Sequence, residues 1–169
     1  MFTISAPVMT AVPTRHLIAR ERTQTMYFND LKLGMSVETA PAVIEKQKMM
    51  DFACSYDNIP LHTDEAYAKA SPFGALIAPG VMSFMSVWAK YLEVDFFGKE
   101  LLAGKSTRIE WHKPVYAGDV LQGKAVISNL TRRSPRNGIV EITIEVYNQK
   151  GVHVLSNVTE AIVKCNYAI

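Results

Sequence analysis

Cysteine is scarce in this chain: two among 169 residues, Cys54 and Cys165, with no CxxC pair and no Cys/His ligand spacing. That excludes a disulfide-stapled scaffold and a zinc finger, and no metal site is expected. The two thiols fit reduced core residues of a cytoplasmic protein. No run of ~18 apolar residues is present, so no membrane-spanning helix is expected. No signal-peptide pattern is visible, which leaves the Asn-x-Thr triplets at Asn129 and Asn157 without meaning as glycosylation sites. An excess of one charge is also lacking. Lys and Arg total 18 against 16 Asp and Glu, and the basic residues are scattered. A nucleic-acid surface is therefore not expected, although a small ligand carrying several negative charges remains compatible. There is no internal repeat and no low-complexity tract.

What is present is ordinary globular composition. Apolar residues make up 49% and charged residues 20%, enough for one domain to bury a core without staples. Residues 1–26 read as an N-terminal extension, loosely docked or flexible. They hold Pro7, Pro13 and three Arg against one acid, Glu21. Domain sequence is expected over 27–169.

Ser36 to Ile44 reads as one extended segment. Glu45 to Tyr56 fits a helix, because Met49, Met50, Phe52, Ala53 and Tyr56 recur at three- and four-residue spacing. Pro60 disfavours helical geometry at Ile59, so that helix stops near Asp57-Asn58. Thr63 or Asp64 can cap a short helix over Glu65–Ala70. Pro79 to Leu92 reads as a second long helix with proline at its first position. Its circumference is almost wholly apolar, so it should be buried on most sides. The second half of the chain supplies the wrapping. Gly104–His112, Val120–Leu130, Ile139–Asn148 and Val152–Lys164 each fit a strand, and short turns between them favour antiparallel neighbours. The expected class is α+β, a curled antiparallel sheet around a helix at about 79–92.

The stretch Asp57 to Gly80 carries the chemistry. Asp57 falls past a helix end, and His62 follows in the loop after Pro60. A carboxylate and an imidazole brought to one water can take and relay its protons. The same pair also fits a capping Asp and a hydrogen-bonded loop His, neither supporting the core. Gly80 adds a third part. N–H groups at a helix start have no partner inside the helix and favour negative charge, which makes an oxyanion site. A glycine required for close helix–sheet packing is the plainer alternative.

Asp57-x-x-Pro60-Leu61-His62-x-Asp64, then Ser71-Pro72-Phe73-Gly74, then Ile77-Ala78-Pro79-Gly80, resembles the R-specific enoyl-CoA hydratases of the MaoC-like dehydratase family. Pro114-Val115-x-x-Gly118-Asp119 and Tyr147-Asn148-Gln149-x-Gly151 extend the resemblance over about Tyr27 to Lys164. It implies the hot-dog fold and reversible addition of water to a 2-enoyl thioester. Coenzyme A or a carrier protein would bear the acyl group, with no separate cofactor and no membrane partner. The matching Asp57 and His62 would activate the water, and the matching Gly80 N–H, behind Pro79, would hold the thioester oxygen. A homodimer or higher homo-oligomer is implied as well.

Two departures stand out. The family places Asn-Pro before the Leu/Ile-His pair, whereas here Asn58-Ile59-Pro60 displaces the asparagine by one. A serine found farther along the central helix in some hydratases falls on Trp88 here, with Ser83 and Ser86 nearby, and an indole there would shorten or reshape the acyl pocket. A hot-dog thioesterase is disfavoured, because Pro79–Leu92 contains no carboxylate. The alternative from another class is a non-catalytic acyl-thioester-binding or partner subunit.

Overall fold

The computed structural model describes residues 26–94 and 97–166. The extension expected at residues 1–26 therefore lies, Met26 apart, outside the described residues. The expected extended segment resolves into two short strands, β1 (Ser36–Glu38) and β2 (Ala42–Val43). Helix α1 (Lys46–Tyr56) is followed by a one-turn helix α2 (Pro60–Thr63), the short α3 (Glu65–Ala70) and the long α4 (Gly80–Leu92). Four long strands complete the chain: β3 (Leu101–Trp111), β4 (Val120–Arg132), β5 (Asn137–Asn148) and β6 (His153–Lys164).

Alternation builds the sheet. On β5, Val140, Ile142, Ile144 and Val146 are buried while Glu141, Thr143 and Glu145 are only partly covered. Two-residue periodicity puts the first set on one face, and that face must be covered. All pairings are antiparallel, in the order β1-β4-β5-β6-β3, with β2 also on β4. The β5–β6 turn closes at Gly151, whose φ of 72° is comfortable only for a residue without a Cβ. Helix α4 covers the inner face with Met82, Phe84, Val87 and Tyr91, all buried. Each such apolar side chain stabilises the fold by roughly 1.5–3 kcal/mol.

The sheet curls around α4 without closing into a barrel, as the hot-dog reading requires. Two expectations about α4 need correction. Pro79 is not the first helical residue. Its ψ of 132° makes it the N-cap, and Gly80 opens the helix. Nor is the helix covered all round. Val81, Met85 and Leu92 are 47%, 46% and 50% exposed, at spacings that put them on one face. The single sheet can cover only the opposite side.

Contact between α4 and β4 is close because Gly123 has no side chain. A Cβ there would fall 2.7 Å from Val87 Cγ1 and 3.0 Å from Ile144 Cγ2. Gly123→Ala should therefore cost about 1–3 kcal/mol through overpacking. Urea unfolding checks this, and an unchanged midpoint would contradict the packing.

Candidate active site

The two candidate acid–base residues reach one place by different local routes. Asp57 is the C-cap of α1, its N–H donating to the Ala53 carbonyl at 2.9 Å. Ile59, constrained by Pro60, is extended at φ −110° and ψ 152°. Pro60 then starts α2, so His62 lies on a helical turn and not in a loop. Asp64, rather than Thr63, caps the next helix, its Oδ1 accepting from the Tyr67 N–H at 2.9 Å.

His62 is buried, at 6% exposure, so the expectation that it lies outside the core is also corrected. Its Nδ1 stands 2.7 Å from the Ile77 carbonyl oxygen. A carbonyl only accepts, so Nδ1 carries the proton. In the neutral ring Nε2 is then an acceptor. Asp57 Oδ2 lies 3.4 Å from that nitrogen and is half-exposed. Two acceptors do not bond each other. They converge on a position that suits a molecule with two protons to donate.

The loop before α4 forms the third side. Ala78 N–H donates to the Val115 carbonyl at 2.7 Å, and Ile77 N–H to the Leu61 carbonyl at 3.3 Å. These bonds fix the approach to Gly80, whose own N–H has no hydrogen-bond partner among the described residues. Asp57, His62 and Gly80 thus line one cleft of about 500 Å³. Ser83 lines it from one turn further along α4, while Lys113 and Pro114 line it from the segment after β3. Among the described residues no cluster of His, Cys, Asp and Glu is placed to hold a metal ion.

The other sequence candidates divide. Pro79 is buried beside the cleft as the N-cap of α4. Asn58 is exposed and does not line the cleft. Trp88 lines a different cavity, at the far end of α4. The residue that sequence reasoning missed is Trp111. A Cβ on Gly80 would fall 2.5 Å from its Nε1, so the indole sits in the space that glycine leaves open. Its signal was strand parity. Thr107, Ile109 and Trp111 pair with Thr159, Asn157 and Leu155, all on the inner face of β6.

Residues 28–149 match the family described as MaoC like domain. The chain belongs to that family. Among curated proteins, an uncharacterized Bacillus subtilis protein, YdeM, is 28% identical over 142 residues, covering 82% of this chain and 99% of its own. Among solved structures, a monoamine oxidase regulatory protein from Archaeoglobus superposes with a TM-score of 0.80 at 25% identity, covering 85% of this chain and 97% of its own. The (R)-hydratase from A. caviae involved in PHA biosynthesis superposes at 0.64 with 25% identity, covering 80% of this chain and 98% of its own. The MaoC-like fold is thereby the hot dog, and hydratase or dehydratase chemistry is the class to which the family points. Among the described residues no helix is long and apolar enough to cross a membrane.

The contact at Gly80 yields a test that needs no substrate. Gly80→Ala must displace the Trp111 indole, so its fluorescence should shift, measured in a Trp88→Phe background to isolate it. A spectrum identical to that of Trp88→Phe alone would contradict the contact.

Proposed function

We propose that this MaoC-like chain is a hydratase of 2-enoyl thioesters, of the R-specific type. The observation that supports the reading is the pair of convergent acceptors, His62 Nε2 and Asp57 Oδ2 at 3.4 Å, in the cleft that Gly80 also lines. Water held by both acceptors turns its lone pairs outward, toward C3 of a bound enoyl group. Asp57 takes a proton as the water oxygen bonds to C3. The π electrons move through C2 to the thioester oxygen, and the Gly80 N–H stabilises the resulting enolate. The proton taken from water then passes through His62 to C2, and the pair ends as it began. Atoms balance with water and the thioester alone, so no separate cofactor enters the proposal. An oxyanion donor of this type is worth about 3 kcal/mol of barrier.

A panel of 2-enoyl-CoA thioesters of increasing chain length, followed by loss of enone absorbance, tests this directly. Asp57→Asn and His62→Gln should each lower turnover by roughly 10²–10⁴-fold. Their double variant should lose far less than the product, because the two residues act as a unit. Near-normal turnover in either single variant would sink the mechanism. Binding of thioesters without hydration by the parent would favour a non-catalytic partner subunit. The structure also separates the variants by stability. Asp57→Asn is a half-exposed change, whereas His62→Gln disturbs a buried hydrogen bond and should cost about 1–3 kcal/mol.

We further propose that the chain works as a homodimer or larger homo-oligomer, in the cytoplasm. β3 is an edge strand, bonded to β6 on one side only, and its side chains are exposed almost throughout. An exposed edge of 11 residues is a template for pairing with another chain. Sedimentation at micromolar concentration should show at least a dimer, and a monomer there would count against it.

A further inference from the structure

A thioester oxygen has two lone pairs, and the Gly80 N–H can satisfy only one of them. Inside a cleft with mostly apolar walls, the second also needs a donor. Most donors around the cleft are already engaged. His62 Nδ1 donates to the Ile77 carbonyl, and Ser83 Oγ donates to the Pro79 carbonyl at 3.3 Å. His112 Nε2 lies 2.9 Å from Ser156 Oγ. Lys113 is exposed, and a lysine ammonium in that setting stays strongly hydrated. The indole N–H of Trp111 is different. It lines the cleft and has no hydrogen-bond partner among the described residues. An indole nitrogen can only donate.

The place of that nitrogen follows from its contact with Gly80. A Cβ on Gly80 would stand 2.5 Å from Nε1, 2.6 Å from Cε2 and 3.1 Å from Cδ1. Those two carbons flank the nitrogen in the ring. All three are near the point, so the pyrrole side of the ring lies flat across it. The N–H lies in the ring plane and is therefore aimed past Gly80, not at it. Standard bond lengths put a Cβ about 2.5 Å from its own backbone nitrogen, so Nε1 and the Gly80 nitrogen are at most about 5 Å apart. One oxygen accepting from both at about 2.9 Å tolerates a separation of up to roughly 5.8 Å, so the two donors are near enough to share it.

Backbone bonds tie both donors to one framework. The N–H groups of His112 and Lys113 donate to the Val154 carbonyl at 2.9 and 3.2 Å. The Val115 carbonyl then accepts from the N–H of Ala78, just before the Pro79-Gly80 helix start.

We infer that the Trp111 indole N–H is the second donor to the oxygen of a bound thioester. The inference rests on reading the cleft as a thioester hydratase site, where that contact makes Trp111 a catalytic residue. Phenylalanine would form the same apolar wall, so the N–H is what tryptophan adds. As water bonds to C3 and charge reaches the oxygen, both donors hold it more strongly than in the ground state, and that difference is what accelerates the reaction.

Proton–nitrogen correlation NMR of the full chain reads the indole directly. The Trp111 Nε1–H peak is assigned by its loss in Trp111→Phe, and the rest of that variant's spectrum checks its fold. The peak should move downfield on saturation with butyryl-CoA, which cannot be hydrated. The thioether S-butyl-CoA, without the carbonyl oxygen, should leave it nearly in place. In the enone assay Trp111→Phe should lower kcat by roughly 10²-fold, the usual loss for one oxyanion donor, with little change in KM. Equal peak movements with the two probes, no movement with butyryl-CoA, no binding of either, or an unchanged kcat in Trp111→Phe would each overturn the inference. Normal turnover beside a peak indifferent to the carbonyl would leave the hydratase reading standing without Trp111. A carbonyl-dependent peak in a chain that hydrates no enoyl thioester would overturn the hydratase reading and leave the donor in place.

Discussion

The site depends on one hydrogen bond, from His62 Nδ1 to the Ile77 carbonyl at 2.7 Å. It links two segments 15 residues apart, and each brings a different part of the chemistry. The His62 turn brings the imidazole of the candidate acid–base pair. The Ile77 loop leads into the first N–H of α4. The same bond fixes the tautomer, and so decides which imidazole nitrogen faces Asp57. Geometry and protonation state are set together by one backbone carbonyl. The neighbouring bonds to Leu61 and Val115 hold that carbonyl in place.

Helix α4 is the second constraint, because both cavities are defined against it. Its N-terminus supplies an unpaired donor and its C-terminal half supplies Trp88 and Tyr91. Gly123 sets how near the helix lies to the sheet. Gly80 sets how near β3 can bring Trp111. Close approach at these two glycines serves different ends, since one seals the core and the other shapes the cleft. Gly80 has two features that bear on its readings. It provides the helix-start N–H, and its missing side chain makes room for the edge of the half-exposed Trp111 indole.

Much of the architecture was legible because its signals are local and repeated. The alternation over β5 and the three- and four-residue spacing of α1 each sum over many residues. The Asp57, His62 and Gly80 spacing was readable because proline and glycine constrain the backbone between them. What was not legible depended on tertiary neighbours. Composition alone could not show that α4 keeps Val81, Met85 and Leu92 on an uncovered face. Trp88 lines a cavity apart from the Asp57–His62 cleft because it stands about two turns beyond Val81 on the same face of α4. Trp111 was missed because its role comes from a strand that reaches α4 only through the sheet. Residue 79 was misplaced by a single position, since proline suits both an N-cap and a first helical residue.

The cleft has walls of unequal stiffness. On one side Gly80 and Ser83 belong to a helix packed into the core. On the other, Trp111 is carried at the end of a strand hydrogen-bonded along one side only. A strand held in that way yields more readily than a central one. In a single copy of the chain the outer wall therefore gives way before the inner one, and an oligomer that pairs the free edge of β3 would stiffen it.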